Sequence, residues 1–398
     1  MKKRFKKNAR KTVNLFSTLY YLLLFCFFEN RKIAKSNIVF FFPVYHTGGA
    51  ERVHLNIVKA VQGKRSCVLF TQNSNTTNFL ASFQQHSEII SINKIISKKN
   101  KFLIEILKRK IIKSLNKNHH LETIFASNAT FFYELLPFLN QKIKKIDLIH
   151  AFSFPDPGIE DDSISYVEYL DYRVVINEKT KLDLLNQYKS NRINSKYEER
   201  IVKIENGIEM SNYEFCSKDI DKIKIGFVGR WAHEKRPELF LQIAKNVISI
   251  FPNVEFQMLG TGMKSNKKSI DAAAVVFLGE ITNRDALRAV YKNMTFLLIT
   301  SSREGFPMVI MESMAYGVIP VTTNVGGISE HIINGENGIV IYDDDDDETI
   351  VKSFTNTILT LIDNKEKIKK ISGNAYLYAH SNFQIKKFND NYQKLLFK

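Results

Sequence analysis

The run Asn-Ile-Val-Phe-Phe-Phe-Pro at residues 37–43 is too short and too apolar to offer water a face. It suits a strand buried on both sides, as in a parallel sheet covered by helices. A Gly48-Gly49 turn follows, then a helical pattern with Val53, Ile57, Val58 and Val61 on one side. The same grammar recurs. Residues 66–70, 123–126, 146–151 and 173–176 read as further buried strands, with helices expected over 101–115 and 131–139. After a polar stretch at 211–222 it restarts. Strands are expected at 223–228, 254–259, 275–278, 295–300, 318–322 and 338–342, with helices at 237–250 and 285–292. Alternation of this kind predicts two Rossmann-like parallel-sheet α/β domains.

Composition narrows the function. With 398 residues, 44% hydrophobic and 25% charged, the chain is a folded protein with room for two domains. Cys26, Cys67 and Cys216 are far apart and odd in number, which excludes a disulfide scaffold or zinc ribbon. The nine histidines show no paired-ligand spacing, so no metal site is expected. The net charge of +16 lies almost wholly in the first half, where 35 basic residues face 21 acidic ones up to Asp219. No recognition motif for nucleic acid accompanies it, and no nucleic-acid partner is expected. An anionic membrane surface explains the placement better.

The N-terminus supports that reading. Residues 2–11 carry seven positive charges, and residues 12–28 are uncharged and largely apolar. The run is slightly short for a spanning helix and lacks a small-residue cleavage site. Residues 1–30 are therefore expected to lie in the interface of an anionic leaflet, the alternatives being a span or a buried helix.

Ligands of open parallel sheets collect at the carboxyl ends of strands. Four such places stand out. Arg230 and Lys235 follow one strand and precede a helix opened by Pro237, a setting in which two cations can hold a pyrophosphate. In Ser301–Glu312, Gly305, Phe306 and Pro307 lead into a helix ending near Gly317, with Glu304 on the loop and Glu312 inside the helix. Gly48 and Gly49 let backbone approach a ligand. His150 ends a strand. No Gly-x-Gly-x-x-Gly is present, which argues against a nicotinamide or flavin enzyme.

Taken in order, Phe227-Val228-Gly229-Arg230 to Lys235, Glu304 to Glu312, Pro320-Val321, Gly326-Gly327 and Asn337-Gly338 resemble the retaining nucleotide-sugar glycosyltransferases of family 4, or group 1, with the GT-B fold. Gly-Gly-Ala-Glu-Arg at 48–52, His150 and Ile204–Ile208 extend the resemblance into the first half. It implies two domains facing a cleft: an acceptor domain at 31–215, a nucleotide-sugar donor domain at 216–381, and a C-terminal helix at 382–398 crossing back. By resemblance, Arg230 and Lys235 neutralise the donor diphosphate, Gly48 and Gly49 approach it, and Glu312 binds the ribose. Glu304 and His150 sit by the transferred sugar, which Gly305, Phe306 and Pro307 wrap. The implied activity is metal-independent transfer, with retention, from a nucleotide-diphosphate sugar to a saccharide or lipid-linked acceptor in cell-surface polysaccharide or glycolipid synthesis. It needs no cofactor and belongs at the cytoplasmic face of the membrane. A degenerate member serving as a scaffold subunit is the alternative. The Asp343–Asp347 run imitates a metal-binding motif but reads as helix-capping residues.

Overall fold

The computed structural model describes residues 14–397 other than 154, 212 and 343–345. The basic residues 2–11 and Asp343, Asp344 and Asp345 thus lie outside the described part. The chain forms two compact units. The first runs to Val175 and adds Lys181–Ile204 and the segment from Asn389; the second is Ile176–Thr180 with Glu205–Phe388.

The first unit holds strands β1 (Ile38–Phe42), β2 (Ser66–Phe70), β3 (Glu88–Ser91), β4 (Thr123–Ser127), β5 (Lys144–Ile149), β6 (Tyr172–Val175) and β7 (Ile201–Lys203). They form one sheet in the order β3-β2-β1-β4-β5-β6-β7, and every pair is parallel. All residues of β1, β2 and β4 are buried, as expected for strands covered on both faces. Five strands lie where the hydrophobic runs place them. The edge strands β3 and β7 were not expected, because Glu-Ile-Ile-Ser and Ile-Val-Lys are short and half polar. The helix expected over 131–139 is instead a short turn, Thr130–Tyr133, followed by a 3-10 segment Leu136–Phe138. Pro137 has no N–H for the helical ladder and resets it.

Ahead of β1, residues 14–24 are helical and continue through a π-helical turn, Phe25–Glu29, into Asn30–Ala34. Leu22, Phe25 and Ile33 are buried in the same core as Val39, Phe41 and Leu69. Phe16, Tyr20, Phe27 and Phe28 are each about 60% exposed or more, so this element is part core and part apolar surface. No described helix is long and apolar enough to cross a membrane.

The second unit holds β8 (Lys224–Val228), β9 (Glu255–Leu259), β10 (Val276–Phe277), β11 (Phe296–Ile299), β12 (Ile319–Thr323) and β13 (Ile339–Ile341). Their order is β10-β9-β8-β11-β12-β13, again all parallel. The helix Pro237–Ile250 buries Leu239, Phe240, Ile243 and Val247 against Phe227, Phe256 and Leu298. The expected 382–398 helix begins later, at Ile385, after the helix Lys365–Asn382. In both sheets the strand order reverses once, between β1 and β4 and between β8 and β11. Such reversals open a crevice at the carboxyl ends of the two strands, where ligands bind.

Candidate active site

In the second unit the two loops that flank the reversal are the ones that carry the expected donor residues. After β8 the chain turns through Gly229–Ala232 into a 3-10 turn, His233–Lys235, and Pro237 opens the next helix. After β11 it passes through Thr300–Pro307 to the helix Met308–Met314. Hydrogen bonds stitch the loops together. The Thr300 hydroxyl donates toward the carbonyls of Lys235 (2.9 Å) and Arg236 (3.0 Å), and the Ser302 N–H donates to the Glu234 carbonyl at 2.8 Å.

The stitching brings charges into contact. The Lys235 ammonium donates to Glu304 Oε1 at 2.5 Å, and the Ser301 hydroxyl donates to the same oxygen at 2.7 Å. Both side chains are mostly withdrawn from water. Arg230 does not join them. It is the exposed member, pairing with Glu234 at 3.1 Å across one turn. Sequence reasoning passed over Arg236, whose Nε donates to the Thr300 carbonyl at 2.7 Å and whose Nη2 donates to the Ser301 carbonyl at 3.1 Å. Its backbone is left-handed, with φ of 45°. The side chain fixes the two loops to each other, a job that only the folded distance reveals.

A third strand end backs the site. Gly326 has φ of 57°, and a Cβ there would lie 1.9 Å from the Glu304 carbonyl oxygen. The Gly327 N–H donates to the Gly305 carbonyl at 2.7 Å. Only a glycine at 326 lets this loop press so closely on the one that carries Glu304. Phe306 is buried against His331 and Phe383, so its ring anchors the loop. Pro307 caps the helix Met308–Met314.

Glu312, in that helix, meets phenols. Tyr291 donates to Glu312 Oε2 at 3.4 Å. Burial first, and the nearby Glu312 carboxylate second, push the Tyr291 and Tyr213 hydroxyls above their ordinary range, so both stay protonated donors. The tyrosines were invisible to sequence reasoning, since nothing in a lone Tyr marks it as facing a carboxylate. Asp346 accepts the Thr349 N–H at 2.8 Å and caps the helix Asp347–Ile362, while Asp347 pairs with Arg236 at 3.4 Å. Among the described residues no cluster of three or more possible metal ligands occurs.

In the first unit, Gly48 stands in extended backbone as the cap of the helix Gly49–Ala60. A Cβ on it would meet the Glu51 carboxylate at 2.0 Å, and Glu51 also lies 3.7 Å from His46. His150, at the end of β5, has an unexpected partner: its Nε2 is 3.0 Å from Nε2 of His54. His54 is fully buried and stacked on Phe42 with ring centres 4.2 Å apart. Burial lowers the pKa of His150 to about 4; burial and then the His150 charge lower that of His54. Both are neutral at neutral pH, one N–H donating to the other nitrogen. Gly48, Gly49 and His150 thus share the carboxyl end of the first sheet, as Arg230, Lys235, Glu304 and Glu312 share that region of the second unit.

Two doubly wound parallel sheets, each with its candidate residues on the loops beyond its strands, define the Rossmann-like architecture of GT-B glycosyltransferases. The structure is similar to that of HepE from Anabaena in complex with UDP and glucose, with a TM-score of 0.70 over 91% of this chain and 99% of that one at 18% identity. Residues 215–378 match the family of glycosyl transferases group 1. The chain is also similar to the capsular polysaccharide biosynthesis glycosyltransferase CapM of Staphylococcus aureus, 28% identical over 197 residues, covering 45% of this chain and 48% of CapM. The O-antigen biosynthesis glycosyltransferase WbnH of Escherichia coli is 34% identical over 135 residues, covering 33% of this chain and 37% of WbnH. The chain thus spans half or less of the length of these two curated relatives.

Proposed function

We propose that the protein is a retaining, metal-independent glycosyltransferase. It moves a sugar from a nucleotide-diphosphate sugar to a saccharide or lipid-linked acceptor in cell-surface polysaccharide or glycolipid synthesis. The observation that carries the reading is the Lys235–Glu304 contact at the strand-order reversal of the family-matching unit. The names of CapM and WbnH support a polysaccharide product, and the HepE complex supports a nucleotide-sugar donor.

The chemistry follows from charge. Transfer breaks the bond between the anomeric carbon and the donor phosphate, and the electron pair leaves with the diphosphate. The Lys235 ammonium has three donors; Glu304 takes one, leaving others for phosphate oxygens. Arg230, exposed and forked, suits a second phosphate contact. Fixed donors of this kind contribute about 3–4 kcal/mol each to a transition state. Glu312 accepts the ribose hydroxyls, with Tyr291 holding its carboxylate. Glu304 contacts the sugar hydroxyls. The acceptor oxygen attacks from the face the phosphate leaves, which retains configuration, and its proton passes to the departing phosphate. No protein base is required. We assign Gly48 and Gly49 to the donor diphosphate and His150 to the transferred sugar.

Nucleotide sugars are cytosolic, so we place the protein at the cytoplasmic face of the membrane, with the N-terminal helical segment lying flat. A release assay over uridine and guanosine diphosphate sugars, repeated with lipid-linked acceptors, tests the function. Donor binding without transfer to any acceptor would instead favour a scaffold.

A further inference from the structure

We infer that the first unit carries a second anion site, separate from the transfer chemistry, that takes the phosphate headgroup of an anionic phospholipid. The site is a cavity of about 780 Å³ with Arg31, Lys32, Lys35, Lys64, Arg65 and His86 in its wall. It lies at the amino ends of β1, β2 and β3: Ser36 precedes β1, Arg65 precedes β2, and Glu88 opens β3. Gly48 and His150 belong to the opposite, carboxyl end of the same sheet. The inference rests on the membrane placement proposed above and is independent of the donor assignment, which the release assay tests separately.

The cavity carries more positive charge than its own acids neutralise. Lys32 is held by Glu29 at 2.7 Å and approached by Glu88 at 3.9 Å, and Lys64 is held by Glu122 at 2.9 Å. Arg31, Lys35 and Arg65 are exposed and make no ion pair among the described residues. Three uncommitted cations on the rim of one concavity converge from two chain segments, residues 31–35 and 64–65. A phosphate monoanion or diester fits them by charge-assisted hydrogen bonds.

The source of that phosphate follows from what adjoins it. Arg31, Lys32 and Lys35 end the helical segment whose outward side chains are Phe16, Leu19, Tyr20, Leu23, Phe27 and Phe28. Those positions recur at spacings of three and four, and the series continues to Arg31 and Lys35. A free phosphate has no use for the exposed rings of Phe27 and Phe28, one turn from Arg31. A bilayer supplies both halves: acyl boundary for the rings and an anionic headgroup for the cations. Leu22, Phe25 and Ile33 fasten the segment to the core, so helix and cavity form one preformed surface.

The test is co-sedimentation of the full chain with phosphatidylcholine vesicles, with and without a quarter phosphatidylglycerol. The variant Arg31→Gln/Lys35→Gln/Arg65→Gln is compared with Lys142→Gln/Lys189→Gln/Lys196→Gln, which removes equal charge from exposed positions elsewhere in the unit. The cavity variant should lose about tenfold or more in partitioning to phosphatidylglycerol vesicles, and the control variant clearly less. Phe27→Ser/Phe28→Ser should weaken binding to both vesicle types. Equal loss in the two charge variants, or none in either, overturns the cavity and leaves only diffuse charge. Calorimetric titration with inorganic phosphate separates the sources: saturation by phosphate with no preference for phosphatidylglycerol vesicles identifies a free-anion site and overturns the lipid assignment.

Discussion

The Lys235 ammonium and the Glu304 carboxylate meet at 2.5 Å although they are 69 residues apart and leave different strands. Under the proposed mechanism one partner faces the diphosphate and the other faces the sugar, so the contact couples leaving-group stabilisation to sugar positioning. Lys235→Ala and Glu304→Gln should each lower turnover by about 10²-fold or more. The double variant should cost much less than the product of the two, because either change already breaks the pair. Arg230→Ala should lower turnover by a similar factor but add independently to Lys235→Ala, since Arg230 pairs with Glu234 instead. Steady-state kinetics on the three single variants and the two doubles, Lys235→Ala/Glu304→Gln and Arg230→Ala/Lys235→Ala, decide this; near-wild-type activity in Lys235→Ala and Arg230→Ala sinks the donor site.

Glu312 and Glu304 should separate by kinetic parameter. Glu312→Gln exchanges a charged acceptor for a neutral one and should weaken nucleotide binding about tenfold, with a smaller effect on the chemical step. Tyr291→Phe, which removes the hydroxyl aimed at Glu312, should weaken it by a few-fold only. Calorimetric titration with the free nucleoside diphosphate reads both. Unchanged affinity in Glu312→Gln refutes its ribose role.

The paired imidazoles predict a pH signature. His150 titrates near 4 in the folded protein and His54 is lowered as well, against 6.5 for an ordinary imidazole. Between those values the unfolded chain binds more protons than the folded one. The stability held in this pair is therefore complete above about pH 6.5 and drains away as pH falls towards 4. Denaturant titrations of wild type and His54→Gln/His150→Gln should diverge in slope across that window, the variant being flatter. Parallel curves would remove the buried pair from the account.

A buried ion pair gives a stability prediction. Arg173 on β6 grips Asp147 on β5 through Nε at 3.1 and 3.0 Å and Nη2 at 2.6 Å, and Tyr133 donates to the same carboxylate at 2.8 Å. Both charged groups are at most 1% exposed. Arg173→Met strands the Asp147 charge and should cost about 3–5 kcal/mol in chemical denaturation. Replacing both, Arg173→Met with Asp147→Leu, should recover a large part of that loss. If the double variant is as unstable as the single one, stranded charge is not the cause.

The architecture was legible because its signal is local. Apolar runs such as Phe40-Phe41-Phe42 and Leu297-Leu298-Ile299 announce strands without knowledge of their neighbours. β3 and β7 escaped because an edge strand is buried on fewer sides and keeps residues such as Glu88 and Lys203. The candidate donor residues could be picked out since Arg230 and Lys235 follow β8 and Glu304 and Glu312 follow β11. Their pairing could not: nothing along the chain says that Lys235 turns to Glu304 while Arg230 turns to Glu234. His54 was missed for the same reason, its partner lying 96 residues away. The N-terminal segment shows both effects. Its apolarity was evident, but the division of Phe25 to the core and Phe27 to the surface depends on a π-helical turn that sequence periodicity does not announce.

The return of the C-terminal segment to the first unit sets an order of events during synthesis. Leu395 and Leu396 carbonyls accept from Lys144 (3.0 Å) and Thr123 (2.5 Å), Gln393 donates to the Ala60 carbonyl at 2.7 Å, and Tyr392 is buried beside Phe125. Domains generally fold one after another as they leave the ribosome, yet here the half that is translated first stays unfinished until residues 389–397 have emerged. Glu205–Phe388, translated in between, forms the second unit together with the earlier Ile176–Thr180 and can close beforehand. A chain truncated after Phe388 would therefore hold every residue of the second unit and leave the first one open, with the Phe125 face uncovered and available to chaperones.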